Sequence, residues 1–220
     1  MSTSSTLHAF HDALLAHFGP QRWWPARTPF EVMVGAILTQ NTNWKNVEKA
    51  IDNLRREDLL DPVRLRRLPR ERLAELIRPA GYYNVKAGRL SNLLEVLVDG
   101  FGGSLERFFD ASVAALRERL LAVKGVGRET ADSIILYAAG KPTFVVDAYT
   151  YRVMTRHNLI FEDADYDQLK SLFEDNLPRD AALFNEYHAL IVCVGKSFCR
   201  KTAVCAGCPL ERFPHSVEPP

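Results

Sequence analysis

Apolar residues recur along this chain at helical spacing and almost nowhere in alternation, which restricts it to an all-α fold. Val47, Ala50, Ile51 and Leu54 follow the i, i+3, i+4, i+7 pattern of a one-sided helix. The stripe returns in Ala87, Leu90, Leu94, Leu97 and Val98, stopped near Gly100, and in Val113, Leu116 and Leu120. It returns again in Ala131, Ile134, Ile135 and Ala138, closed by Gly140 and Pro142. Leu169, Leu172 and Phe173 mark another helix, and Leu183, Tyr187, Leu190, Ile191 and Val194 a last one, ended by Gly195. Thr28-Pro29-Phe30-Glu31 reads as a helix start, with Thr as N-cap, Pro in the first turn and Glu completing a capping box. The run from Val32 to Leu38 is apolar on every side, so that helix should be central and buried. Only Thr143 to Val146 looks extended, and it is too short to imply a sheet.

The length, 220 residues, allows one large domain or two small ones, and 47% hydrophobic residues suffice for a core. No apolar run is long enough to span a bilayer, and the polar, uncharged N-terminus does not read as a secretory signal. The expectation is a cytoplasmic protein without a membrane partner. The formal charge is only +1, but it is unevenly spread. Ten Lys/Arg and five acids lie between Arg55 and Leu90, whereas Glu162, Asp163, Asp165 and Asp167 make a later stretch acidic. Such asymmetry suits either a solvated helix face or a face turned toward a polyanion. The four cysteines all fall between Cys193 and Cys208. In a cytosolic chain such a cluster points to a metal or iron–sulfur site.

Lys124-Gly125-Val126-Gly127 joins two of the expected helices. Two glycines one residue apart allow a sharp turn and close approach of a ligand to the backbone. They expose amides at the start of the next helix, where an anion such as a DNA phosphate is favoured. An ordinary glycine-capped helix turn has the same letters. The context extends through Arg128-Glu129-Thr130-Ala131, and the small Ala131 lets the hairpin pack closely.

From these residues onward the chain resembles the endonuclease III family of helix-hairpin-helix DNA glycosylases. Gly125 to Ala131 resembles the family hairpin, and Val145-Val146-Asp147 its segment carrying an Asp at a helix start. Leu38-Thr39-Gln40-Asn41-Thr42 resembles the segment whose Gln enters the duplex, and Gly81 to Ala87 the segment that supplies a wedge. The likeness runs in order from about Phe30 to Cys208. It implies two helical lobes with DNA across the cleft between them: residues 26–141 as a central bundle carrying the hairpin, and residues 1–25 with 142–220 as a second lobe. It implies a monomer acting on double-stranded DNA with a damaged base, at the nucleoid. DNA contacts would come from Gln40, Tyr82, Tyr83, Lys86, Lys124, Gly125, Val126, Gly127, Arg128 and Thr130.

As a bare feature Asp147 is an N-cap. The resemblance makes it the carboxylate that stabilises positive charge at the sugar C1′ while the base departs, and that orients or deprotonates a water. Family members that also cut the strand carry a Lys just after the hairpin, whose amine forms an imine. Glu129 stands in that place, and a carboxylate forms no imine. The expectation is therefore a monofunctional glycosylase. The alternatives are a bifunctional oxidised-pyrimidine glycosylase and AP lyase, with Lys124 as a possible amine, or a non-catalytic protein that binds damaged DNA.

Trp23-Trp24-Pro25 and Trp44 could be core residues. They also resemble the 3-methyladenine DNA glycosylase III branch, which carries Trp-Trp-Pro and an aromatic residue after Thr-Gln-Asn-Thr. Trp24, Pro25 and Trp44 would then form a base pocket, with electron-rich rings stacked on a cationic alkylated purine.

The cysteine spacing is Cys193-x5-Cys199-x5-Cys205-x2-Cys208, against a family pattern of Cys-x6-Cys-x2-Cys-x5-Cys. Cys199, Cys205 and Cys208 match the first three ligands with one residue deleted. The last would fall near Phe213 or Pro214, which hold no metal. Cys193 could replace it, or could simply be a buried apolar residue; His215 is another substitute. The resemblance implies a [4Fe–4S] cluster, with zinc as the alternative for a thiolate-rich site. Arg200 and Lys201 between the ligands suit a loop held against DNA phosphate.

Overall fold

Most helices of this chain begin at a polar side chain that caps exposed amides, and their lengths follow from where the caps fall. In the computed structural model, which describes residues 2–216, the described residues hold helices and no strand. The all-α architecture expected from the periodicity is the one present. Contacts divide the chain into two compact units, Trp24–Gly140 and a second made of Met1–Trp23 with Lys141–Pro220. No helix among the described residues is long and apolar enough to cross a membrane.

The second unit begins with α1 (Thr3–Phe18), capped by Ser2 and carrying Leu7, Phe10 and Leu14 on its buried face. The other unit opens with α2 (Pro29–Leu38), in which every residue from Phe30 to Leu38 is buried. Thr28 Oγ1 accepts from Glu31 N at 3.1 Å, but the expected capping box is only half made. Glu31 is itself buried, so its carboxylate must be paired inside, and Arg55 Nη2 donates to it at 2.9 Å from α3 (Trp44–Arg56). The basic stretch continues through two short helices, α4 (Pro62–Arg67) and α5 (Arg70–Leu76), to α6 (Tyr83–Leu94). α6 widens at its end into a π turn over Glu95–Asp99. After α7 (Leu105–Phe109), α8 (Val113–Leu121) and α9 (Arg128–Ser133) form the hairpin, and α9 runs on as a π turn over Ile134–Ala138. Phe30, Met33, Ile37, Leu90, Leu116, Leu120 and Ile134 belong to one continuous core in this unit.

The Lys141–Pro220 part supplies α10 (Ala148–Arg156), α11 (Tyr166–Glu174) and α12 (Ala181–Ser197), with α12 packed on α1 and α10. The extended segment 143–146 lies among them without a strand partner. Two of its amides are satisfied by side chains instead: Phe144 N donates to Glu174 Oε1 at 2.7 Å, and Val146 N to the Tyr166 hydroxyl at 3.4 Å. Phe144 stacks flat on Phe173, ring centres 3.8 Å apart. The segment is thereby pinned, and it delivers Asp147 to the start of α10.

Candidate active site

The hairpin is held shut by charge. Arg117 on α8 donates from Nε to Asp132 Oδ1 at 2.9 Å and from Nη2 to Oδ2 at 3.3 Å, and Asp132 on α9 is fully buried. Between the two helices, Val126 is buried and anchors the turn in the core. Gly125 has φ +99°, a conformation L side chains avoid, and a Cβ there would come within 2.4 Å of Arg89 Cγ. Gly127 differs. It caps α9 in extended backbone, φ −94° and ψ 179°, with nothing near the position of a Cβ. Only Gly125 is required by the turn. Gly127 leaves open space over the first amides of α9. Lys124, Arg128 and Glu129 are exposed around it.

Gln40, expected to enter a duplex, is engaged with this turn. Its Nε2 donates to the Gly125 carbonyl at 3.1 Å and to Thr130 Oγ1 at 2.9 Å, and Arg89 Nη1 donates to its Oε1. Thr130 is accordingly buried against Gln40 rather than presented at the surface. The residue after Gln40, Asn41, is exposed and has φ +52°.

The Gly81–Ala87 segment separates into an outer and an inner part. Tyr82 is 70% exposed on left-handed backbone, φ +46°. A bulky residue there carries strain that the fold maintains at an exposed aromatic. Tyr83 is half-buried, with the Arg78 guanidinium 5.7 Å from its ring centre. Lys86, expected to touch DNA, is only 1% exposed. Its Nζ donates to the Leu38 carbonyl, the Ala80 carbonyl and Thr42 Oγ1, each at 2.8 Å. All three ammonium protons are thus committed inside the protein, and no donor remains for phosphate. Burial, helped by the Arg89 charge, pushes its pKa down to about 8. Lys86 is a structural tie between the Gln40 and Tyr82 segments.

Trp24 and Trp44 meet edge to face, ring centres 5.3 Å apart, and Tyr137 packs on Trp24 at 5.1 Å. Trp44 Nε1 donates to Glu48 Oε1 at 2.7 Å, and Pro25 and Trp44 border one open hollow. Tyr137 escaped the sequence reading because it stands within an apolar helical stripe and reads as core.

In the other unit, Asp147 caps α10. Its Oδ1 accepts from Thr150 N at 2.8 Å and from Thr150 Oγ1 at 3.0 Å, and Oδ2 lies 3.7 Å from His188 Nε2 on α12. His188 is buried, and desolvation lowers its pKa, opposed by Asp147 and reinforced by Lys196. Nothing in the apolar stripe of α12 singled out His188; only the fold brings it to Asp147.

Cys199, Cys205 and Cys208 line one small hollow together with Phe198, the residue that follows α12. Cys193 does not line it. Its Sγ donates to Gln21 Oε1 at 3.0 Å, and burial raises its thiol pKa. Arg156 is buried in the wall of the hollow. Its Nη1 donates to Cys199 Sγ at 3.3 Å and to the Arg200 carbonyl at 2.7 Å, and its Nη2 to the Lys201 carbonyl at 2.9 Å. Its Nε is buried without a hydrogen-bond partner among the described residues. A buried cation with an orphaned N–H beside three thiols suits an anionic group. No three His, Cys, Asp or Glu among the described residues are gathered closely enough for a single metal ion. Tetrahedral zinc, with Zn–S bonds of about 2.3 Å, draws its sulfurs to roughly 3.8 Å of one another. An iron–sulfur cluster binds each ligand through a different iron and spaces them wider. Three thiols beside a buried cation are donors that an iron–sulfur cluster can use.

Residues 34–179 match the family model of the HhH-GPD superfamily base excision DNA repair proteins. Over 208 residues, 94% of each chain, the sequence is 51% identical to the "Putative DNA repair glycosylase" of Methanocaldococcus jannaschii. Among solved structures it is similar to the H. pylori 3-methyladenine DNA glycosylase bound to 1,N6-ethenoadenine, with a TM-score of 0.76, 32% identity, and coverage of 89% of this chain and 98% of that one. It is also similar to a trapped endonuclease III–DNA covalent intermediate, with a TM-score of 0.82, 25% identity, and coverage of 96% of this chain and 94% of that one. On these grounds the chain belongs to the HhH-GPD superfamily of base excision DNA repair proteins and is a DNA glycosylase.

Proposed function

We propose that this glycosylase removes an alkylated purine from double-stranded DNA by hydrolysis, as a monomer, and leaves the strand uncut. The observation that carries the reading is the first turn of α9, where the exposed residue at the lyase position is Glu129 and not an amine. Without an amine at that position the nucleophile is water. The amides at Gly127 hold a phosphate, Tyr82 wedges the strands, and Gln40 braces the turn from inside its hydrogen-bond set. The base stacks on the Trp44 and Trp24 rings beside Pro25 and Tyr137. A cationic purine gains cation–π attraction there and is already a good leaving group. The likeness to a 3-methyladenine glycosylase bound to 1,N6-ethenoadenine supports a purine substrate.

Asp147 supplies the charge. As the N-glycosidic bond breaks, its electron pair moves to the base nitrogen and neutralises the cationic ring. Positive charge develops at C1′, which the carboxylate stabilises. Water then adds to C1′ and gives its proton to Asp147. Thr150 fixes the orientation of the carboxylate through two hydrogen bonds to one oxygen.

The C-terminal loop holds a [4Fe–4S] cluster through Cys199, Cys205 and Cys208, with Arg156 offsetting its charge. When bound, the cluster cross-links the loop and supplies no hydrolytic chemistry. Duplexes with alkylated, oxidised, deaminated or mismatched bases test the substrate, and borohydride trapping tests the reaction type. Free 3-methyladenine and an alkali-sensitive, otherwise intact strand are expected. Strand cutting without alkali, with a trapped adduct, would instead make Lys124 an imine-forming amine.

A further inference from the structure

We infer that His215, through Nε2, is the fourth ligand of this cluster and that Cys193 is not a ligand. The inference rests on the cluster reading above and deepens it. His215 lines the same hollow as Cys199, Cys205 and Cys208, whereas Cys193 lies within α12 with its thiol donating to Gln21. The His215 ring is already oriented. Its Nδ1 stands 2.7 Å from the Phe213 carbonyl, so the proton sits on Nδ1 and the lone pair is left on Nε2. Metal-binding imidazoles are commonly held in this way, with the second nitrogen donating to a backbone carbonyl.

The segment carrying His215 is fixed at both ends of a short stretch. Phe213 is buried and packs on Phe10, ring centres 4.7 Å apart. Ser216 N donates to the Arg156 carbonyl at 2.7 Å. His157 also borders the hollow, but its ring packs edge-on against Phe10 at 4.7 Å and its Nδ1 lies 3.0 Å from the Pro214 carbonyl. It buttresses the segment that presents His215. The sequence distances agree: His215 is sixteen positions beyond Cys199, the span that the family pattern Cys-x6-Cys-x2-Cys-x5-Cys covers from first to last ligand. The residue missing between Cys199 and Cys205 is regained between Cys208 and His215. Charge agrees as well. Replacing one thiolate by a neutral imidazole leaves the cluster less anionic, and the one buried cation in the wall is Arg156 among the lining residues.

The test is anaerobic purification of the full chain and of Cys193→Ser, His157→Ala, His215→Ala and His215→Cys variants, with folding followed by circular dichroism. Iron and acid-labile sulfide are counted, and pulsed EPR of the reduced cluster reads nitrogen coupling with ¹⁵N-histidine labelling. The wild type and Cys193→Ser should keep full iron and the nitrogen coupling, and His157→Ala should keep the coupling in the cluster it retains. His215→Ala should lose at least one iron in four, and His215→Cys should regain it without the coupling. Full iron with nitrogen coupling in His215→Ala, or iron lost from Cys193→Ser, overturns the ligand and leaves the cluster standing. Coupling that persists in His215→Cys also overturns it. A wild-type chain that contains no iron overturns the cluster itself and the ligand with it.

Discussion

Asp147 takes both hydrogen bonds that Thr150 offers through a single oxygen, from N at 2.8 Å and Oγ1 at 3.0 Å, and turns Oδ2 toward His188 Nε2 at 3.7 Å. The carboxylate is therefore oriented by an N-cap on one side and faces a buried imidazole on the other. The first prediction concerns that imidazole. Burial lowers the folded-state pKa of His188 below 6.5, so the unfolded chain binds a proton that the folded chain refuses. Stability should fall as pH drops below about 6.5, and His188→Gln should reduce that fall. Urea unfolding of both proteins at pH 7.5 and 5.5 makes the comparison. Equal losses in the two proteins would show that His188 titrates normally.

The two glycines of the hairpin should respond differently to the same substitution. Gly125→Ala places a Cβ on left-handed backbone and against Arg89, and should cost about 1–3 kcal/mol of stability. Gly127→Ala meets open space on extended backbone and should leave stability within about 0.5 kcal/mol. Its methyl group stands where phosphate would approach, so DNA affinity should fall about tenfold, or about 1.4 kcal/mol. Denaturant titration and fluorescence anisotropy on undamaged duplex read the two effects. Unchanged affinity in a folded Gly127→Ala protein removes the phosphate site.

Lys86→Met should destabilise the chain by about 1–3 kcal/mol, because three acceptors lose their buried donor. It should not change the salt dependence of DNA binding. A slope reduced by about one counterion would place Lys86 on phosphate after all.

Many helix positions were legible because periodicity and caps act locally, although α1 and the short α4, α5 and α7 were not read from the sequence. Thr28, Pro29 and the apolar run after them suffice to start and bury α2. The destinations of long polar side chains were not legible. Glu31 reads as half of a capping box until α3 supplies Arg55, and Lys86 reads as a phosphate contact until three acceptors close around it. The two glycines look equivalent in the sequence, and only their dihedral angles separate them. Cys193 joins the other thiols by proximity in sequence, but its place within α12 turns its thiol to Gln21. His188 and Tyr137 stood out by neither spacing nor motif. Each gains its neighbours only when distant segments pack.

Trp44→Ala should slow single-turnover excision of 3-methyladenine about tenfold or more, in keeping with roughly 1–2 kcal/mol for a lost stacking and cation–π contact. Undiminished excision would dismiss the aromatic pocket while leaving the hydrolytic assignment intact.

The most direct measurement of the account is single-turnover base release by Asp147→Asn on a duplex carrying 3-methyladenine, with DNA affinity measured in parallel. Asparagine keeps the oxygen that caps α10 and removes the charge that C1′ requires. Near-normal DNA binding is expected, with excision slowed at least about a hundredfold, or about 2.7 kcal/mol of transition-state stabilisation. Excision at the wild-type rate would contradict it.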